Sequence, residues 1–203
     1  MKYIARICLV VGTFLFAFAG AVRAEVSVGM PVPNFTLTDV NGQVRSLSDY
    51  RGKTVVLEWV NPECPFVKKH YGSGNIPNLQ KAATADGVVW LSINSAREGA
   101  EGDFNETQAA EWMKQMNASP TAYFRDQSGT VGRLYSAKTT PHMFVISAEG
   151  ILMYDGAIDS IRSAKIDDIA KAKNYVAAAL ASIKAGKPIE KMTSQPYGCS
   201  VKY

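Results

Sequence analysis

The strongest constraint on the fold is a buried-strand pattern that leads directly into one cysteine and a proline. Residues 54–60 form a largely apolar, β-branched run, Cys64 follows closely, and Pro65 opens a segment of helical character that reaches Tyr71. Proline suits the first position of a helix because no amide donor is needed there. The order predicts a strand-to-helix junction with a thiol at the start of the helix.

A thiol in that position suits redox chemistry. The free N–H groups at a helix start carry partial positive charge, which stabilises a thiolate and lowers the pKa of the cysteine. The alternative is an inert cysteine that packs as a small hydrophobe. Glu63 opposes a lowered pKa, whereas Lys68, Lys69 and His70 favour it if they face the thiol. We expect these three to lie on a solvated helix face instead.

The first residues have the layout of a secretory signal. Lys2 and Arg6 precede an apolar stretch over residues 7–21, and small or apolar residues surround Arg23 at the expected cleavage site after Ala24. The sequence therefore predicts a signal peptide over residues 1–24 and a periplasmic or secreted protein. An uncleaved membrane anchor is the alternative. Cys8 would leave with the signal.

The remaining residues 25–203 have the length of one domain with a true core. The whole chain carries 22 basic and 18 acidic residues, and three of the basic residues fall in the predicted signal. The rest is therefore close to neutral, and we expect no nucleic-acid partner and no membrane association after cleavage. Two cysteines remain, Cys64 and Cys199.

The predicted elements alternate between strand and helix. Asn41-Gly42 is a hairpin signal near the start, and residues 88–94 form a second buried strand. Asn105 begins a helix with a capping-box pattern. Residues 166–185 are typical of one long amphipathic helix that stops at Gly186. This alternation predicts an α/β fold with a central mixed β-sheet flanked by helices and an N-terminal β-hairpin extension.

Three segments carry a resemblance to the redoxin group of the thioredoxin superfamily, the peroxiredoxin-like proteins related to alkyl hydroperoxide reductase and thiol-specific antioxidant. They are residues 28–59, which resemble the group's opening; residues 139–147, which resemble its cis-proline loop; and the ending around Cys199. The resemblance implies a single thioredoxin-like domain with a tail over residues 186–203. It also implies an oxidoreductase with antioxidant activity and no cofactor.

Departures from the family pattern leave the reaction open. Val67 stands where a Cys-x-x-Cys motif has its second thiol, so no local thiol resolves a mixed disulfide. In the peroxidatic pattern, Leu57 replaces the proline and Asn61 replaces the threonine. The sequence thus predicts thiol–disulfide exchange or peroxide reduction at Cys64, with Cys199 as a resolving partner or structural lock.

The second part of the predicted site is the Thr140-Pro141 pair. The resemblance implies a cis proline facing the reactive cysteine, with the Thr140 backbone offered to an incoming peptide or thiol. We expect substrate contacts at Asn61, Pro65, Thr140 and Pro141. The predicted partners are a protein thiol or disulfide, a small thiol reductant, and a peroxide as substrate.

Two other classes of function stay open. One is a non-catalytic thioredoxin-like module that binds through the cis-proline groove, because fold does not fix function. The other is a copper-binding protein with Cys64, His70, His142 and Cys199 as ligands. The family's copper carriers have two local cysteines where this chain has one, so we predict no metal site. Both histidines are then ordinary surface or hydrogen-bonded residues.

Overall fold

A computed structural model describes residues 26–203 of the chain. The predicted signal peptide and its cleavage site lie outside the described residues, so both stay predictions. Within the described range, no helix combines the length and the apolar character that a bilayer span requires.

The elements run in chain order as β1 (Thr36–Thr38), β2 (Val44–Ser46), a 3₁₀ helix (Leu47–Tyr50), β3 (Val55–Trp59), α1 (Pro65–Gly72), α2 (Asn75–Ala85), β4 (Val89–Asn94), α3 (Glu106–Gln115), β5 (Ala122–Arg125), α4 (Thr130–Leu134), β6 (Thr139–Thr140), β7 (His142–Ile146), β8 (Leu152–Gly156), a second 3₁₀ helix (Ile166–Lys171), α5 (Tyr175–Lys184) and β9 (Cys199–Ser200). The central sheet has five strands in the order β5-β4-β3-β7-β8. It is mixed, since β3 pairs with β4 in parallel and with β7 antiparallel. β1 and β2 form a separate hairpin before the sheet.

The central strand β3 divides the core into two layers because successive side chains point to opposite faces. Val56 packs with residues of α1, α2, α3 and α5 on one face. Leu57 and Trp59 pack on the other face with α4 and the N-terminal hairpin region. All five residues of β3 are buried, which accounts for the largely apolar pattern of the segment. Cys64 follows the carboxyl end of this strand, five residues after Trp59.

The tail after Gly186 makes backbone hydrogen bonds to two strands, β8 of the central sheet and β6. Asp155 of β8 donates its N–H to the Met192 carbonyl (3.1 Å) and accepts from the N–H of Ser194 (3.0 Å). Further on, β9 pairs antiparallel with β6, so that Cys199 lies opposite Thr140. The tail therefore runs along the edge strand and ends on the loop that precedes β7.

The prediction of one long helix over residues 166–185 is wrong. The segment is a 3₁₀ helix and the separate helix α5, divided at residues 172–174. Asn174 caps α5 through its side chain, which accepts from the N–H of Ala177 (2.9 Å). The backbone there pairs with another loop, since the Tyr175 N–H donates to Ile158 (2.9 Å). Tertiary pairing and a strong cap thus outweigh the helical periodicity.

Candidate active site

Cys64 is the N-cap residue of α1, and Pro65 occupies the first turn of that helix. Its backbone N–H donates to the Asn61 carbonyl (3.1 Å), and its own carbonyl accepts from the Lys68 N–H (2.9 Å). The turn and the helix thereby fix the residue on both sides. The Cys64 side chain has no solvent-exposed area (0%). The strand-to-helix junction that the sequence predicts is present, with the thiol directed inward.

The cis-proline loop lies directly against this thiol. The Thr140-Pro141 peptide bond is cis, as the family resemblance implies. The neutral Cys64 thiol donates to the Thr140 carbonyl (3.1 Å) and makes no capping bond to its own helix. The Thr140 hydroxyl is also buried, and it has no hydrogen-bond partner among the described residues. The hydroxyl is therefore free to donate a hydrogen bond to the Cys64 sulfur when that sulfur is a thiolate.

The tail brings Cys199 to the same place. Cys199 lies opposite Thr140 in the β6–β9 ladder, is partly exposed, and has a free thiol, as does Cys64. Gly198 permits the close approach: a Cβ atom there would lie 2.0 Å from the Thr140 carbonyl oxygen, and its φ is +139°. Only glycine fits such a position without a shift of the backbone. The site thus holds two cysteines around one backbone carbonyl.

The two thiols have opposite pKa shifts. Burial raises the pKa of Cys64, but the Cys199 thiol, the Thr140 side chain and the backbone N–H groups of Val67 and Cys199, all of which can donate to a thiolate, lower it, and the net direction is down. Burial and the neighbouring Cys64 sulfur raise the pKa of Cys199 to about 12. Of the two thiols, Cys64 is therefore the one whose thiolate the site stabilises.

Asn61 and Glu63 shape the loop before the cysteine. The Asn61 side chain accepts from the Glu63 N–H (2.8 Å) and donates to the Glu101 carbonyl (3.0 Å). Glu63 accepts from the N–H of Gly102 (2.6 Å). Both side chains thus tie the Cys64 loop to residues 101–102. A substrate contact at Asn61 stays a prediction, and its amide already has partners at both ends.

The prediction of a solvated helix face is wrong for Lys69 and His70, which are buried on α1. Lys69 Nζ lies 3.6 Å from Asp159 Oδ2, and His70 Nε2 lies 3.2 Å from the Tyr197 hydroxyl. The same hydroxyl donates to Asp159 Oδ1 in a short hydrogen bond. We call Lys69, His70, Asp159 and Tyr197 the buried ionic cluster. It joins the reactive helix to the tail two residues before Cys199.

Sequence patterns alone could not reveal this cluster, because its members come from three separate segments. The one local signal is Tyr197, an aromatic residue with a polar tip that needs a partner when buried. Its ring also packs on Phe66 of α1, with ring centroids 5.7 Å apart. The tail is thus anchored by both apolar and polar contacts next to the site.

Glu58 is a second buried group that the sequence analysis did not single out. It lies on β3 and accepts hydrogen bonds from four side chains: Trp90 (2.7 Å), Tyr71 (2.9 Å), Ser92 (3.1 Å) and Gln80 (3.2 Å). Burial raises its pKa above the usual range despite these donors. A lone acid inside an apolar strand is the signal that could have identified it.

The two histidines are not brought together with the cysteines as a metal site. His142 Nε2 lies 2.7 Å from Asp155 Oδ1, and His142 Nδ1 accepts from the Lys138 N–H (3.2 Å). His70 has Asn75 and Tyr197 as partners at its two ring nitrogens. Within residues 26–203, no group of three or more metal-ligating side chains is assembled. The copper alternative therefore lacks a ligand set in this part of the chain.

A buried helix-start cysteine, a facing cis proline and a mixed sheet between helices define a thioredoxin-like redoxin. The chain belongs to the AhpC/TSA family, whose model matches residues 28–155. The match ends at the edge strand, so that Cys199 and the tail lie outside it. The predicted redoxin resemblance is confirmed, and so is the predicted α/β thioredoxin-like fold.

Curated relatives and solved structures agree with this assignment. The chain is 28% identical over 129 residues to the thiol-disulfide oxidoreductase ResA of Geobacillus kaustophilus, covering 58% of this chain and 74% of the relative. An uncharacterized conserved protein of the same organism has a similar structure, with a TM-score of 0.74, 24% identity, and coverage of 88% of this chain and 93% of that one.

A putative thiol:disulfide interchange protein DsbE from Chlorobium tepidum is also similar in fold, with a TM-score of 0.56, 24% identity, and coverage of 77% and 99% of the two chains. The family and its named relatives confirm the predicted general class, a thiol-dependent oxidoreductase. These similarities do not show peroxide reduction or export for this chain.

Proposed function

We propose that this protein exchanges thiols and disulfides through Cys64 and Cys199, which alternate between a dithiol and an intramolecular disulfide. The observation that supports the proposal is the position of Cys199 opposite Thr140. The Thr140 carbonyl accepts a hydrogen bond from the Cys64 thiol. The missing second cysteine of the helix is thus supplied by the tail. A thiol on a strand that pairs with the loop facing a stabilised thiolate is placed to resolve a mixed disulfide formed at either sulfur.

Peroxide reduction has less support from the geometry. Asn61, which stands where the peroxidatic pattern has a threonine, already bonds to Glu63 and Glu101. The Cys64 sulfur is covered by the tail rather than open to a small oxidant. We therefore rank exchange with a protein or small-molecule thiol first, and peroxide second.

A redox titration tests the proposal. Full-length protein with Cys8→Ser, which leaves two thiols, is equilibrated in glutathione buffers of graded potential, quenched with acid and alkylated. We expect both thiols to disappear together in a single two-electron transition. Cys64→Ser and Cys199→Ser should each abolish that transition. Two thiols that remain free in oxidising buffer would contradict the proposal, and thiol-dependent consumption of hydrogen peroxide by the Cys199→Ser protein would favour peroxide reduction.

We also propose that the protein acts outside the cytoplasm, in the periplasm or as a secreted protein. The support is the charged, apolar and small-residue order of residues 1–24. The intact mass of the protein from its natural host tests this. A chain that begins near Glu25 is expected, and a mass that includes residues 1–24 would contradict cleavage.

A further inference from the structure

We propose that the outside thiol attacks Cys199, and that Cys64 is the internal sulfur that leaves. The inference rests on the proposed Cys64–Cys199 disulfide and assigns each sulfur a separate role. Cys199, and not the helix-start cysteine, would then carry the mixed disulfide with the partner.

Accessibility is the first argument. The Cys64 side chain is fully buried (0% exposed), whereas Cys199 retains exposed area. The tail strand β9 covers the cis-proline loop on which Cys64 rests. Thiol–disulfide exchange requires an attacker to reach one sulfur of the bond, so access selects which sulfur is attacked. In this fold the reachable sulfur is on the tail.

The anchoring of the tail is the second argument. Tyr197 joins the buried ionic cluster, Gly198 packs on the Thr140 carbonyl, and the Val201 N–H donates to Lys138 (3.2 Å). At the end of the chain the Tyr203 carbonyl accepts from Arg97 (3.0 Å). The residues on both sides of Cys199 are thus held in place. A partner can reach Cys199 without displacing them, whereas it reaches Cys64 only after the strand has separated.

The leaving group is the third argument. A disulfide breaks faster when the departing thiolate is the more stable one. The departing Cys64 sulfur would have the Val67 and Cys199 N–H groups and the Thr140 side chain as donors, which lower its pKa. Burial raises the pKa of a departing Cys199 sulfur, and the neighbouring Lys202 offsets this only in part. Attack on Cys199 is therefore favoured by leaving-group stability as well as by access.

The exchange balances as follows. An outside thiolate forms a bond to Cys199 Sγ, the Cys64–Cys199 bond breaks, and its electron pair goes to Cys64 as a thiolate. A second thiol of the partner then attacks the partner sulfur that is bonded to Cys199. Cys199 leaves as a thiolate and takes up a proton. The partner loses two electrons and the protein gains them. In the reverse direction, Cys64 attacks Cys199 and releases the partner.

Trapping of the mixed disulfide tests the assignment. Oxidised full-length Cys8→Ser protein is mixed with excess reduced glutathione, quenched with acid after short times, alkylated and mapped without reduction. We expect the glutathione adduct on the Cys199 peptide and the alkyl group on the Cys64 peptide. The opposite labelling would overturn the inference while leaving the proposed exchange intact. A protein that forms no internal disulfide before mixing would overturn both.

Single-cysteine proteins provide a second measurement. In the Cys8→Ser background, Cys64→Ser leaves only Cys199 and removes the Cys64 contribution to its pKa, and Cys199→Ser leaves only the buried Cys64. With glutathione disulfide at mildly alkaline pH, we expect Cys199 to react faster by roughly tenfold or more, because a buried sulfur reacts only through local opening. Faster reaction of Cys64 would contradict the inference. A reduced, unfolded protein as the thiol donor shows whether Cys199 also admits a protein partner.

Discussion

The contact between Gly198 and Thr140 controls how well Cys64 is covered. A Cβ atom at Gly198 would clash with the Thr140 carbonyl group, and the backbone itself has a φ that side chains avoid. A methyl group there must displace the tail from the cis-proline loop. A residue with no side chain thus lets the tail lie directly against the carbonyl that accepts a hydrogen bond from Cys64.

We predict that Gly198→Ala destabilises the fold by roughly 1–3 kcal/mol and exposes the Cys64 thiol. In the reduced protein, alkylation of Cys64 should become faster even though its pKa rises as the tail donors withdraw. Peptide mapping of alkylated samples measures this. Gly72→Ala is a matched control, because an added Cβ there meets no atom within 4 Å. Equal labelling of Cys64 in the two variants would show that the tail does not cover it.

His70 makes stability sensitive to acid. Burial lowers its pKa to about 4, although Asp159 opposes the shift. In the unfolded chain its pKa is about 6.5. The unfolded state therefore binds more protons between these values, so stability falls as the pH drops from about 6.5 to about 4, by roughly 3 kcal/mol in all.

We predict that His70→Gln reduces this acid-induced loss of stability, although it costs stability at neutral pH by altering the buried ionic cluster. Urea unfolding at several pH values between 4 and 7 measures the slope. Lys68→Gln, on the exposed side of the same helix, should leave the slope unchanged. Parallel slopes in the wild type and His70→Gln would assign the acid sensitivity to another group whose pKa folding lowers, such as Asp39.

Among the structural elements, α5 shows how one cap can define a boundary that periodicity hides. Asn174 accepts from the Ala177 N–H (2.9 Å). We predict that Asn174→Ala lowers the free energy of unfolding by about 1 kcal/mol, while Asn174→Asp retains most of it because aspartate also caps. Denaturant midpoints of the two variants measure the difference. Equal midpoints for the alanine and aspartate variants would mean that the cap does not hold α5.

The elements that the sequence predicts well are those with local causes. The strand before Cys64, the proline at the helix start and the capping box at Asn105 are each encoded within a few residues. The redoxin fold follows from them and from the family resemblance. The long helix was predicted wrongly because its break depends on pairing with residues 158–160, which no local pattern contains.

The site was less predictable because half of it is non-local. β9 is two residues long and has no periodicity, so only its pairing with Thr140 reveals where Cys199 lies. Lys69 and His70 resemble any solvated helix face, and their buried state depends on Asp159 far along the chain. The sequence and its family resemblance give the reactive sulfur and the cis proline that faces it, and they name Cys199 as a candidate partner, but they do not reveal the buried ionic cluster.

At the scale of the whole molecule, the two cysteines link the beginning of the core to the end of the described chain. A disulfide between them would close a loop of well over 100 residues and stabilise the fold by roughly 4–5 kcal/mol in the chain-entropy model. We predict a clearly higher melting temperature for the oxidised than for the reduced protein. Calorimetry of both forms measures it, and Cys199→Ser should melt at one temperature regardless of redox state. Equal melting of the two wild-type forms would contradict a stabilising bridge.

The position of Cys199 on the tail also sets the order of events during synthesis. Cys64 leaves the ribosome long before Cys199, and at about 5–20 residues per second the delay is on the order of ten seconds. During that interval the first sulfur has neither its partner nor the strand that covers it. The growing chain therefore passes through a period in which its reactive thiol is open to other molecules, and that period ends when the last strand pairs with the proline loop.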